Sequence, residues 1–191
     1  MSNDLSADAV VIGAGIIGTA IAFELSKAGR RTICVDRAPK AGYGSTSSSC
    51  AIIRVHYSTL EGTAFAFDAY HDWQDWSGYL GVAASSELDE ARFHDTGCLV
   101  MKTQGNGHLT KIMDNARTLS IPYEEWDEDE ITARLPGYDL RSYAPAKRMD
   151  DPDFGEPGSG RIGGGVFFPT AGYISDPQLA SKNIQAAAQA V

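Results

Sequence analysis

A glycine motif between two short apolar runs constrains this chain more than any other feature. The run 9–12 leads directly into residues 13–18, Gly-Ala-Gly-Ile-Ile-Gly, and a second apolar run, 32–35, ends at Asp36. This order predicts a βαβ unit in which the glycines form the turn from the first strand into the helix. The alternative is a glycine-rich turn in an unrelated α/β protein, which has no need of an acid at the end of the second strand.

Each glycine of the motif has a physical task at a dinucleotide. Gly13 allows a sharp turn, Gly15 lets the backbone approach a pyrophosphate, and Gly18 lets the helix pack closely on the sheet. Ile16 and Ile17 begin the predicted helix, whose N-terminus offers free N–H groups and a positive dipole end to the phosphates.

Two residues at the end of the second strand complete the predicted site. Asp36 follows the glycines by about 20 residues, where a carboxylate accepts the hydroxyls of an adenosine ribose. Arg37 stands beside it and is included in the expected cofactor site. We therefore expect an adenine dinucleotide cofactor.

Composition limits the classes of partner. The chain has 191 residues, 43% of them hydrophobic, which suits one large or two small domains with a real core. The formal net charge of −9 and the absence of a basic run argue against nucleic acid. We expect small solutes or other proteins as partners.

Cysteine usage and the absence of an apolar span predict a cytoplasmic protein without a membrane anchor. Cys34, Cys50 and Cys98 are an odd number without paired spacing, which suits a reducing compartment. Cys34 and Cys98 lie in apolar runs and are expected to be buried. Residues 1–4 are polar and do not resemble a signal peptide, and no apolar stretch is long enough to cross a bilayer.

Apolar periodicity predicts the remaining elements. These are a strand at 51–53, a helix from about 60 to 79, a strand at 93–103 bent at Gly97, helices at about 108–119 and 127–135 around a strand at 122–125, a surface loop at 138–165, strands at 165–168 and 172–174, and a final helix capped at 176–177. We interpret the aromatic residues of 60–79 as core. The acidic run 127–130 is interpreted as a helix N-terminus rather than a calcium site, and no metal site is expected.

The predicted architecture is not self-contained. Two parallel strands do not make a stable dinucleotide fold, because such sheets need several strands covered on both faces. We expect either a continuation of the polypeptide or a second chain to complete the fold.

Four further segments carry a resemblance to a known family. Residues 44–54, 96–100, 130–136 and 172–177, added to the glycine motif, resemble the D-amino acid oxidase superfamily of flavoproteins. The resemblance is strongest to the branch of sarcosine oxidase, glycine oxidase and amino-acid dehydrogenases. Members are about twice as long as this chain.

The resemblance implies an α/β fold: a Rossmann-like FAD-binding domain interleaved with an α+β substrate domain, incomplete in this chain. Residues 1–85 would form the FAD-binding βαβ unit with its following helix. Residues 86–170 would form part of the substrate domain, including the loop 138–165. Residues 171–191 would return into the FAD domain.

The resemblance also implies FAD rather than NAD. By this similarity Ser45 would lie near the phosphates, and Thr46, Ser47, Ala51 and Ile52 along the isoalloxazine ring. The alternative for the serine-rich segment is a flexible linker.

Arg54 is the residue that the resemblance assigns to substrate. A guanidinium holds a carboxylate by two parallel hydrogen bonds, and Tyr57 is expected to line the same pocket. The alternative for Arg54 is a structural salt bridge. His56 is expected at the surface or behind the pocket.

The implied reaction oxidises the C–N bond of an amino acid or secondary amine by hydride transfer to flavin N5, followed by hydrolysis of the imine. One rival is an NAD-dependent dehydrogenase, or an FAD enzyme acting on a hydroxy acid or glycerol phosphate. The other is an FAD-binding subunit or fragment that is not catalytic alone. The electron acceptor is not predicted.

Overall fold

The computed structural model describes residues 6–81, 89–103 and 105–191, so the polar segment 1–4 lies outside the described residues. The elements in chain order are β1 (Ala9–Ile12), α1 (Ile16–Lys27), β2 (Thr32–Val35), β3 (Ile52–Ile53), α2 (Leu60–Gln74), α3 (Trp76–Leu80), β4 (Phe93–His94), β5 (Cys98–Met101), α4 (Leu109–Thr118), β6 (Glu124–Trp126), α5 (Glu128–Arg134), β7 (Gly165–Phe168), β8 (Gly172–Ile174) and α6 (Pro177–Ala190). This mixture confirms the α/β class. None of the described helices has the length and apolar character needed to cross a membrane.

The chain folds into two compact units that alternate along the sequence. The first comprises 1–53, 69–95 and 172–191, and the second comprises 54–68 and 96–171. The first division of the chain follows β3, and the second falls inside α2. The predicted boundary between 85 and 86 lies outside the described residues. The assignment of the units to FAD and to substrate stays a prediction.

The first unit contains the predicted βαβ motif. β1 and β2 pair in parallel, from Ala9 opposite Thr32 to Ile12 opposite Val35. Both strands begin and end at the predicted residues, and Asp36 follows β2 directly.

Helices α1, α3 and α6 supply most of the core of the first unit. Its buried members are Phe23, Trp76, Leu80, Ala91, Ile174, Ala180, Ile184 and Ala187. Trp73 stacks on Trp76 with ring centroids 4.6 Å apart, which confirms that these tryptophans pack. Asn183 in α6 accepts the Ala91 N–H at 2.9 Å and donates to the Asp89 carbonyl at 3.0 Å. The helix thereby fixes the segment that leads into β4.

Each unit also has an antiparallel three-stranded sheet. In the first unit β8 lies between β3 and β4, and in the second unit β7 lies between β5 and β6. Gly97 separates β4 from β5 with φ +72°, and a Cβ there would lie 2.2 Å from the Phe167 ring. Glycine is therefore required at the bend that the sequence predicted.

One hydrophobic cluster of the second unit lies beside β6 and α5. Its buried members are Trp126, Ile131 and Leu140. The Asp127 carboxylate accepts the Glu130 N–H at 2.8 Å, so the acidic run does begin a helix. The loop at 138–164 is mostly exposed, as predicted. Leu140, however, is buried, so the loop contributes more packing at this end than expected.

Three local predictions are wrong. Phe65, which was expected in the core, is exposed. The single helix expected over 60–79 is broken at Asp75, whose carboxylate accepts the Gly78 N–H at 3.1 Å and starts α3. The aromatic spacing runs through this break and hides it. Cys34 is exposed rather than buried, because β2 has a described strand neighbour on one side only, and Cys98 is half-buried.

Gly18→Ala should destabilise the protein by about 3 kcal/mol, because the added Cβ meets main chain. It would lie 1.7 Å from the Gly13 carbonyl oxygen, and Gly13 is itself held by its N–H bond to Val35 at 2.7 Å. Urea unfolding gives the free energy of unfolding. The control is Gly137→Ala, where a Cβ meets no atom within 4 Å. Equal losses in the two variants would contradict the steric account.

Candidate cofactor cradle and anion site

The glycine turn in the first unit is fixed by hydrogen bonds to the end of β2. Gly13 has φ +108°, and its N–H donates to the Val35 carbonyl at 2.7 Å. Asp36 accepts the Ala14 N–H at 2.6 Å and the Ala38 N–H at 2.7 Å. These two bonds hold the pKa of the Asp36 carboxyl below its usual value, and the bond from Ala38 has the larger effect. Asp36 is therefore ionised at neutral pH.

The serine-rich segment folds against the N-terminus of α1. The Thr46 hydroxyl is largely buried and accepts the Ile16 N–H at 3.1 Å. A Cβ at Gly15 would lie 3.1 Å from the same hydroxyl oxygen, so the glycine permits this approach. The Ser47 N–H donates to the Gly42 carbonyl at 3.0 Å. This network argues against a flexible linker.

Two adjoining depressions in the first unit share Gly15, Ser45 and Thr46. One, of about 570 Å³, is bordered by Asp36 and Arg37. The other, of about 480 Å³, is lined by the following residues: Val11, Ile12, Gly13, Ile16, Ile17, Gly18, Ile21 and Ser49, besides the shared three. An elongated ligand with an anionic centre fits this arrangement, since the helix N-terminus lies at the shared part. These residues fit a dinucleotide.

Three predicted cofactor residues do not line either depression. The Ser47 hydroxyl donates to the Gly44 carbonyl at 2.9 Å within its own loop. Ala51 has φ +53°, which is uncommon for a residue with a Cβ, and its carbonyl accepts the Ile174 N–H at 3.0 Å. Ile52 is exposed in β3. The predicted places of all three along the flavin ring stay predictions.

Arg54 and Tyr57 form a cation–π pair in the second unit. The guanidinium carbon lies 4.9 Å from the centroid of the Tyr57 ring. Both side chains are exposed, whereas those of Val55 and His56 between them are buried. Among the described residues of this unit, no carboxylate forms a salt bridge with Arg54. The structural ion pair considered from the sequence is therefore not observed within the unit.

His56 is buried rather than at the surface. It is 5% exposed and stacks on Phe168 with ring centroids 4.6 Å apart. Burial first, and the positive charge of Arg54 second, lower the pKa of His56 to about 4. Burial also raises the pKa of the Cys98 thiol. Both side chains are uncharged at neutral pH.

Sequence reasoning missed two residues beside this pair. Thr63 in α2 and Asn115 in α4 are buried, and both bond the main chain of Tyr57. A threonine and an asparagine inside helices give no signal of such a contact in a single sequence. Only the packing of the two helices on the segment reveals it.

Lowering the pH should destabilise the wild-type protein more than a His56→Phe variant. The unfolded histidine has its usual pKa near 6.5 and the folded one about 4. Between these values the unfolded state binds more protons, so the free energy of unfolding falls as the pH drops from 6.5 towards 4. The full difference is about 3 kcal/mol, and urea unfolding from pH 7 to 4 measures it. Parallel curves for the two proteins would contradict the assignment.

Comparison with known proteins finds relatives that are oxidases of sarcosine or glycine. Monomeric sarcosine oxidase from Bacillus sp. strain B-0618 is 30% identical over 132 residues, which cover 68% of this chain and 32% of the relative. Glycine oxidase from Bacillus licheniformis is 41% identical over 93 residues, covering 48% of this chain and 25% of the relative. The chain thus spans about a third or less of these relatives.

Among solved structures, L-proline dehydrogenase from P. horikoshii superposes with a TM-score of 0.70 at 20% identity. The match covers 97% of this chain and 42% of that structure, and it supports the fold. The sequence profile of the family described as FAD dependent oxidoreductase matches residues 8–191. The chain therefore belongs to the FAD-dependent oxidoreductase family, and the family and the FAD cofactor expected from the sequence are confirmed.

Proposed function

We propose that this chain contributes a cofactor cradle and a carboxylate-binding arginine to an enzyme that oxidises the C–N bond of an amino acid or secondary amine. The cofactor cradle is the pair of depressions that share Gly15, Ser45 and Thr46. The observation that carries the proposal is Arg54, an exposed guanidinium over the Tyr57 ring that has no carboxylate partner among the described residues of its own unit. FAD, when bound, supplies the oxidation by accepting a hydride.

The named relatives support this class of substrate. They are enzymes of sarcosine, glycine and L-proline. In each of these molecules a carbon bonded to nitrogen also bears the carboxylate. A substrate of this kind needs a cation that fixes the carboxylate, and the planar fork of an arginine does so with two parallel hydrogen bonds.

The surroundings of Arg54 leave its charge available to a ligand. His56 and Cys98, whose pKa values respond to Arg54, are neutral at pH 7. They neither repel the guanidinium nor compensate its charge. The amine of the substrate must react without its proton, and a pocket that excludes water favours that form.

The cofactor contacts are also proposed. Gly13, Gly15 and Gly18, with the N-terminus of α1 at Ile16 and Ile17, would hold the pyrophosphate together with Ser45 and Thr46. Asp36 would bind the ribose of the adenosine. The two adjoining depressions that share Gly15, Ser45 and Thr46 support this assignment.

A second candidate is an FAD-binding part that acts only with further residues or a second chain. Five large apolar side chains of β1, β2 and α1 are exposed: Val10, Ile12, Ile17, Ile21 and Val35. Ile12, Ile17 and Ile21 also line the depression proposed for the cofactor, whereas Val10 and Val35 are left for another part of the fold to cover.

The three cysteines are free thiols, which suits the proposed cytoplasmic location.

Replacing Arg54 by alanine should raise the KM for sarcosine, glycine or proline about 100-fold, because a charge-assisted bidentate contact is lost. The FAD content, measured from the flavin absorbance, should not change. Steady-state kinetics on the full-length protein gives the KM.

The matched controls are Arg54→Lys and an N-methylamine substrate that lacks a carboxylate. The lysine keeps the charge without the fork and should give an intermediate KM. The amine without a carboxylate should react equally with wild type and Arg54→Ala. An unchanged KM for all three amino acids would exclude Arg54 from substrate binding.

Purification from the native gene context should yield a yellow protein that contains more than these 191 residues. Intact mass and the absorbance spectrum are the measurements. A flavin band is expected because the family binds FAD. A larger mass or a second polypeptide is expected because the exposed apolar side chains of β1 need to be covered. A colourless, monomeric, well-folded 20.4 kDa protein would contradict the proposal.

A further inference from the structure

The main chain of Tyr57 is held by two buried side chains of its own unit. The Thr63 hydroxyl accepts the Tyr57 N–H at 3.3 Å and lies 3.1 Å from the Tyr57 carbonyl oxygen and 2.9 Å from that of Thr59. A hydroxyl has one proton, so these two carbonyls share it. The Asn115 amide adds a donor to the Tyr57 carbonyl at 3.1 Å.

These contacts are built into the interior. Thr63 is 0% exposed and Asn115 is 9% exposed, and buried polar groups are stable only when they are hydrogen-bonded. The same short segment is anchored on its other side by Val55, which is fully buried, and by the stacking of His56 on Phe168. The exposed ring of Tyr57 therefore stands on a main chain that is fixed from beneath.

The fixed ring has a consequence for Arg54. A guanidinium held over an aromatic ring by cation–π attraction is restricted in its position and in the plane of its fork. Two parallel hydrogen bonds to a carboxylate require that plane to be set before the ligand arrives. A shift of the Tyr57 main chain would release the ring and with it the orientation of the fork.

We propose that Thr63 and Asn115 are positioning residues, which hold Tyr57 so that the Arg54 guanidinium over its ring is presented to the substrate carboxylate. This inference rests on the proposed function of Arg54. The two residues do not touch the substrate; they act through the main chain of Tyr57.

The test uses the full-length FAD-loaded protein with acetate as a simple carboxylate, titrated while the flavin absorbance is followed. Thr63→Val keeps the shape and removes the hydroxyl, and Asn115→Leu removes the amide. Each variant should weaken acetate binding and raise the KM for sarcosine about five- to tenfold, the effect of one hydrogen bond, with kcat within twofold of wild type.

Two controls separate positioning from folding. Thr63→Ser restores the hydroxyl and should bind acetate like wild type. Thr132→Val removes a similar hydroxyl bond to a helix carbonyl, that of Glu128, and should also bind like wild type. If Thr63→Val does not fold, the acetate affinity of Asn115→Leu tests the inference. That variant keeps the Thr63 hydroxyl bonded to the Tyr57 carbonyl.

The decisive readout is coupling to the ring. In a Tyr57→Ala background the two substitutions should change the acetate dissociation constant by less than twofold, since nothing remains to be positioned. An undiminished effect in that background, or wild-type affinity in both single variants, would overturn the inference while leaving Arg54 in place. If Arg54→Ala itself binds acetate normally, the proposed function fails, and the inference fails with it.

Discussion

The close approach of α1 to the end of β1 is the constraint on which the cofactor cradle depends. Gly18 lies against the Gly13 carbonyl at a distance that excludes any side chain. This contact places the helix N-terminus at the edge where both parallel strands end, beside Asp36 and under Thr46. The free N–H groups proposed to bind the phosphates and the carboxylate proposed to bind the ribose are thus brought together by packing, with few specialised side chains.

The cradle and the Arg54 segment are assembled by different means. The cradle is made mainly from main-chain groups and small residues, so its motif is visible in the sequence. The segment 54–57 depends on buried side chains from two helices and a strand, including Asn115 and Phe168. The Arg54 neighbours His56 and Cys98 are uncharged at neutral pH, so neither opposes the charge of the guanidinium.

Features made by local main-chain chemistry could be predicted from the sequence, whereas features made by packing between distant side chains could not. Local chemistry predicted both parallel strands, the Gly97 bend and the Asp127 cap, because glycine and capping residues act within a few positions. The break at Asp75 and the exposure of Cys34 were mispredicted, and His56, expected at the surface or behind the pocket, is buried. The cap at Asp75 is local, and the aromatic spacing that runs through it hides the break. The burial of His56 and the exposure of Cys34 depend on neighbours distant in the chain, which apolar periodicity does not encode.

The order of the strands has a consequence for synthesis of the chain. The central strand of each three-stranded sheet, β7 or β8, comes after both of its outer strands. Until residues 165–174 leave the ribosome, the outer strands β3, β4, β5 and β6 lack the partner that they have in the finished sheets. Such open edges pair readily with other chains. A nascent chain arrested before residue 165 is therefore more prone to aggregate than one that has passed residue 174.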